Sequence, residues 1–302
     1  MLAIVVETEN WERHVRPSAA DLADLVRRVG GEGDRFLVLQ RVPDRPNVFA
    51  QIWHENGGLY SVEHRDGDGQ FETSTPDLNA VITALTGWAN EAAGWDSALV
   101  WAPLELPAAP EVPPLDLADD ELRQLEDRVR TELAGGYTSR VKLAELAEEY
   151  LVDGDRRPVS PEQARALADR LWVERVEQQS VWQGETDPER ITRAFAALDS
   201  DGVTARENFT CCRTCGQDEI GDEAAPGARG FVYFHNQCTE HAAKGHGLTL
   251  LYGGFDGTAE TTTAIGDEVV AALRAVGLNA EWDRDPNRTI TVPLDWRRRL
   301  VG

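Results

Sequence analysis

Apolar residues recur along this chain with two periods, and each change of period marks an element. The apolar run at 2–6 predicts a short strand. Leu22, Leu25, Val26 and Val29 then recur at helical spacing. Ser18 and Asp21 stand as a capping pair before that stripe, and Gly30-Gly31 stops it. Residues 36–42, 48–55, 59–65 and 70–74 predict strands, with Asn56-Gly57-Gly58 as a hairpin turn between the second and third. Val81, Leu85 and Trp88 return to helical spacing over 77–90.

From about 117 to 206 the period is helical throughout. Leu122, Leu125, Val129 and Leu133 form a stripe ended by Gly135-Gly136, and 140–151 forms another. Ser160-Pro161-Glu162-Gln163 combines an N-cap, a first-turn proline and a capping-box glutamine ahead of Ala164, Leu167, Leu171 and Val176. Thr186-Asp187-Pro188-Glu189 repeats that start before 191–198. Beyond it, 230–235 and 248–252 predict strands, and 237–244 a short helix. Ile265, Val269, Leu273 and Val276 predict a longer helix over 262–276. Residues 279–283 and 289–292 predict a closing hairpin around Asp285-Pro286-Asn287. The fold class is therefore α+β: an N-terminal antiparallel sheet with two helices, then a helical segment leading into a small α/β unit. Five prolines in 103–114 favour extended chain, which predicts a linker over 103–116 between domains 1–102 and 117–302.

Charge narrows the partners. Thirty basic groups against 53 acidic ones leave a formal charge of −23. The excess is shared: 8 basic against 17 acidic groups in 1–107, and 22 against 35 in 116–302. Such a surface excludes phosphate-tracking nucleic-acid binding and docking to anionic membrane, and it suits a basic protein partner. Lysine occurs only at Lys142 and Lys244, so arginine supplies the other basic groups; this bias reads as codon usage, with a salt-adapted composition as the alternative, and not as function. No run reaches the roughly 20 apolar residues of a membrane span, and 1–6 is too short for a secretory core. A cytoplasmic protein with reduced thiols is expected.

The four cysteines fall in one 28-residue window, at Cys211, Cys212, Cys215 and Cys238. Cys212-Arg213-Thr214-Cys215-Gly216 offers two thiolates on a tight corner, and Cys238 and His241 offer a second pair at i and i+3. Zinc takes four such ligands as a tetrahedron, so Cys212, Cys215, Cys238 and His241 are candidate ligands of a structural zinc. A strand hairpin between the two corners would complete a treble-clef order. Against this, Cys211 and Cys215 at i and i+4 on a short helix would serve as small buried apolar groups, and His235 as a core histidine. His54, Glu55, Glu63 and His64 flank the hairpin turn and read as its solvated face, with acid–base work or metal binding as the alternative. Asp199-Ser200-Asp201-Gly202 resembles a calcium loop, but its glycine stands at the fourth position, which fits a helix-ending turn. Gly253 to Gly257 reads as a connecting loop, lacking the glycine spacing of a phosphate cradle.

Three stretches carry a family resemblance: Glu207 to Gly216 (ENFTCCRTCG), Phe234 to Glu240 (FHNQCTE) and Leu250 to Gly253 (LLYG). Their pattern, Phe-x-Cys-Cys-x-x-Cys-Gly followed by Phe-His-x-Gln-x-Thr-Glu, resembles an uncharacterised bacterial domain family frequent in actinobacteria, over about 117–300. The family pattern requires neither a cysteine at 238 nor a histidine at 241. It implies a fold and no mechanism. The N-terminal part is similar in its element order to small immunity-type α+β domains, by overall pattern alone. No nucleophile elbow, Walker loop, zincin helix or kinase signature occurs. A non-enzymatic binding or accessory protein, of immunity type, is the leading expectation. The alternatives are a structural zinc module, and a hydrolase with its site near His235, Glu240 and the Gly253 loop.

Overall fold

A computed structural model describes residues 1–67, 69–105 and 111–300. They fall into two compact units, one over Met1–Pro114 with Leu300, the other over Leu115–Arg299. The first contains β1 (Ile4–Thr8), β2 (Arg13–Val15), α1 (Ala19–Arg28), β3 (Phe36–Arg41), β4 (Val48–Trp53), β5 (Tyr60–Asp66), β6 (Gly69–Thr75), α2 (Leu78–Ala89) and β7 (Ala102–Pro103). Among the described residues its strands form one antiparallel sheet in the order β2-β1-β3-β4-β5-β6-β7. Alternation along β3 buries Leu37 and Leu39 and leaves Phe36 exposed. Those leucines join Ile4, Val6, Ala50, Ile52 and Val62 from neighbouring strands. Leu22 and Val26 of α1, and Val81, Leu85 and Trp88 of α2, complete this core. The expected cap of α1 forms in both directions: the Asp21 amide donates to Ser18 Oγ at 3.1 Å, and the Ser18 amide to the Asp21 carboxylate at 2.9 Å.

The hairpin histidines are not a solvated face. Val62 and His64 lie two residues apart, so they share the buried side of β5. His64 is 8% exposed, stacked on Phe71 with its edges against Trp95 and Trp101. His54 is buried too, its ring 3.9 Å from that of Tyr60. Glu55 is exposed, and Glu63 takes the outer side of β5, accepting from Gln51 and Gln70 at 2.8 and 3.0 Å. Pro103, where the linker was expected to begin, closes β7 against Phe71 of β6. Part of that expected linker, 106–110, lies outside the described residues.

The second unit opens with α3 (Asp119–Gly135), α4 (Arg140–Glu149), α5 (Pro161–Ser180) and α6 (Asp187–Ser200). It continues as β8 (Val203–Arg206), α7 (Arg213–Glu219), β9 (Gly230–Tyr233), α8 (Asn236–Ala243), β10 (Leu248–Gly254), α9 (Ala259–Ala275) and β11 (Ile290–Val292). The small sheet runs β11-β10-β9-β8, with β8 parallel to β9 and the other pairs antiparallel. Helices α6 and α9 pack against it, enclosing Phe195, Leu198, Val232, Tyr233, Phe234, Leu250, Val269 and Leu273. Between the two cysteine corners stand a helix, α7, and a single strand, β9, so the treble-clef hairpin does not form. The expected closing hairpin reduces to a bridge between Glu281 and Thr291; β11 pairs instead with β10, where Ile290 and Val292 are buried. Asp199-Ser200-Asp201-Gly202 ends α6, its Asp199 carboxylate accepting from the Ala205 amide and from Arg206.

A candidate metal centre

The loop from β8 to α7 carries three of the four cysteines, and its course is set by the strand beside it. The Phe209 amide donates to the Phe234 carbonyl at 2.8 Å, and the Asn236 amide to the Thr210 carbonyl at 3.2 Å. At the loop's start, the Glu207 carboxylate accepts from Tyr137 Oη at 2.6 Å and from Arg298 at 2.9 Å. The Arg298 guanidinium also covers the Tyr137 ring at 3.8 Å. Burial, and the charge of Glu207, push the Tyr137 hydroxyl well above the usual phenol range, so it stays a donor. Thr210 is held at φ 60°, in the left-handed region, which a β-branched residue occupies at a cost of about 1–3 kcal/mol. Its hydroxyl donates to the Cys212 carbonyl at 3.2 Å.

Cys212 then caps α7, and Gly216 lets that helix lie flat on β9. A methyl group on Gly216 would sit 2.5 Å from the Tyr233 ring. The Tyr233 hydroxyl donates to the Arg213 carbonyl at 3.2 Å, tying the first turn of α7 to the sheet. This local geometry converges three thiols. Cys215 Sγ is 3.5 Å from Cys211 Sγ and 3.7 Å from Cys212 Sγ, and all three lie within 4.8 Å of one another. Among the described residues no other group of three or more His, Cys, Asp or Glu ligand atoms is so close. Two thiolates bound to one zinc at ~2.3 Å stand about 3.8 Å apart at the tetrahedral angle. The observed spacings match that edge. The Cys211 thiol is exposed and the other two are half-buried.

The electrostatics of the triad favour a cation. Backbone and thiol donors around Cys212, chiefly the Cys215 amide, hold its thiol below the ordinary value. Sharing protons with Cys211 and Cys212 pushes Cys215 up to about 12. Three thiols this close cannot all ionise unaided, and a divalent ion removes that penalty.

The remaining predicted ligands lie apart from the triad. Cys238, in the first turn of α8, is 7% exposed and packs into the core with Val232 and Phe234. Its Sγ is 3.4 Å from His235 Nε2 and 3.6 Å from His235 Nδ1. The two ring nitrogens point in diverging directions, so a sulfur nearly equidistant from both lies over the ring and not along an N–H bond. Burial lowers the His235 pKa, with Arg213 adding to it, and burial raises the Cys238 thiol. His241 is exposed in the last turn, 4.5 Å from the His246 ring. Cys212, Cys215, Cys238 and His241 are thus not gathered at one centre. Cys211, not Cys238, is the third thiol beside Cys212 and Cys215, a grouping that Cys-Cys-x-x-Cys itself could have signalled. Glu240 is ion-paired with Arg128 at 2.9 Å. Gly253 and Gly254 belong to β10, pressed against Phe231 and Thr261, and Asp256 accepts from Thr258 and Thr261 at the start of α9.

No curated protein and no solved structure shows significant similarity to the chain. A family model described as a domain of unknown function, DUF6891, matches residues 118–300, a span that holds α3 to α9, the small sheet and all four cysteines. The chain belongs to the DUF6891 family.

Proposed function

We propose that the second unit is a zinc-holding module and that the chain acts as a cytoplasmic, non-enzymatic binding or accessory protein. One observation carries the metal: thiols 3.5 and 3.7 Å apart, at the spacing of a zinc tetrahedron's edge. Cys211, Cys212 and Cys215 supply three ligands, and water or an added donor supplies the fourth. The ion's role is structural, fastening the β8–α7 loop to the sheet. A partner would be a basic protein, matched to the charge of −23; an immunity-type role would fit such a partner. A reducing compartment suits a cluster of free thiols.

Hydrolase chemistry has less support. The His235 ring holds a sulfur on its face, and Glu240 is neutralised by Arg128, so neither is poised as a general base.

Elemental analysis of protein purified without a histidine tag tests the metal: about one zinc per chain is expected, and less than about 0.2 rejects it. C211A should lose the metal and C238A keep it; the reverse result would restore the ligand set of Cys212, Cys215, Cys238 and His241. Salt-sensitive capture of a basic protein tests the partner, and salt-insensitive or absent binding counts against it.

A further inference from the structure

We propose that the cysteine triad is a redox-discharged metal site, in which a peroxide-class oxidant joins Cys215 to Cys211 or Cys212 as a disulfide and releases the ion. This rests on the zinc reading above and assigns the site its regulation. The geometry singles out Cys215 as the shared partner. Its sulfur stands 3.5 and 3.7 Å from those of Cys211 and Cys212. Cys211 and Cys212 are sequence neighbours, and Cys212 has extended backbone at φ −155° and ψ 174°. Successive side chains of extended backbone diverge, and a bond between adjacent cysteines closes a strained ring. Either bond to Cys215 removes two of three ligands at once, which zinc binding does not survive. Access is given by Cys211, whose thiol is exposed. Cys238 is buried and is not one of the three clustered thiols, so it serves as an internal control.

The step balances. The thiolate sulfur of Cys211 or Cys212 attacks one peroxide oxygen, the O–O bond breaks, and a sulfenic acid and hydroxide result. The Cys215 thiolate attacks the sulfenic sulfur, the S–O bond breaks, and a second hydroxide leaves as the S–S bond forms. Two thiolates and one hydrogen peroxide yield one disulfide and two hydroxides. Sulfur loses two electrons and peroxide gains them, while zinc departs as the unchanged divalent ion because it has no accessible redox step.

The test uses the full chain loaded with zinc and treated with hydrogen peroxide in slight excess. Zinc release is read with a chelating dye, free thiols are counted after denaturation, and peptides are mapped by mass. The expected result is loss of the zinc, a fall from four thiols to two, and recovery of both on reduction. The maps should show Cys215 linked to Cys211 or Cys212, with Cys238 reduced. In metal-free protein, C215S should form no intramolecular disulfide, whereas C211S and C212S should each form one; circular dichroism confirms that each variant is folded. Zinc retained after peroxide, or thiols consumed as sulfinic acid without a disulfide, overturns the switch and leaves the metal site standing. No zinc uptake at the outset overturns both.

Discussion

Gly216 shows how much of the candidate site hangs on one side chain's absence. Its α-carbon lies against the Tyr233 ring, and a methyl group there would stand 2.5 Å from that ring. G216A must push α7 off β9 or displace a fully buried tyrosine. A stability loss of about 1–3 kcal/mol is expected, read by urea titration, with weakened zinc uptake alongside. A variant as stable as the parent would show that the contact relaxes freely. His64 carries a second expectation, for pH. Burial holds its pKa below the ordinary 6.5, with Asp96 and Asp66 opposing, and its Nδ1 is buried with no hydrogen-bond partner. The folded chain therefore prefers neutral imidazole, while the unfolded chain takes up a proton near the ordinary value. Stability from this group is present above about pH 6.5 and falls as pH drops below it. The urea midpoint should decline from about pH 7.5 to about pH 5, and H64F should flatten that decline. An unchanged slope in H64F would assign the acid sensitivity elsewhere. The site was half legible at this scale. Cysteine spacing marked Cys212 and Cys215, because two thiols on one tight corner must converge. It could not show that Cys211, though exposed, turns its sulfur toward Cys215, since that depends on the left-handed Thr210 before it.

At the scale of elements, the helices were readable wherever an apolar stripe met a capping signal. Ser160 is the clearest case: its Oγ accepts the Gln163 amide at 3.2 Å, and Gln163 Oε1 accepts the Ser160 amide at 3.0 Å. S160A should cost about 1 kcal/mol, seen as a lowered denaturation midpoint; no change would mean that packing of α5 against α4 and α3 overrides the cap. The elements that escaped prediction, β2, β7 and β8, are two to four residues long. Val203, Thr204 and Ala205 of β8 are buried in succession, so the strand shows no alternation to detect. Only its parallel pairing with β9 makes it a strand. Helix α7 was read only as a short helix through Cys211 and Cys215; it starts instead at Arg213 and runs to Glu219, and its seven residues carry no apolar stripe to set those bounds. Cys238 and His241 illustrate the converse error. Three positions apart on α8 they share a face on average, but the helix turns one into the core and the other to solvent.

For the whole molecule, charge is the property that acts at a distance. The net −23 opposes compaction, whereas ion pairs such as Lys142–Glu145 and Arg157–Glu149 are exposed and contribute about 0–1 kcal/mol each. Moderate sodium chloride should therefore raise the thermal midpoint, because it screens more repulsion than attraction; a lowered midpoint would show that local pairs dominate. The two apolar clusters also divide cleanly, one drawn from residues 2–89 and the other from 191–296, so each unit has its own core. The amino-acid sequence by itself determined the α+β class and most helices and strands, because periodicity and caps are local. Tertiary structure alone decided that His64 is buried in an aromatic nest, that β8 joins the sheet, and that the thiols meet as Cys211, Cys212 and Cys215. Those outcomes depend on which distant backbone lies alongside, and no period along one chain encodes that.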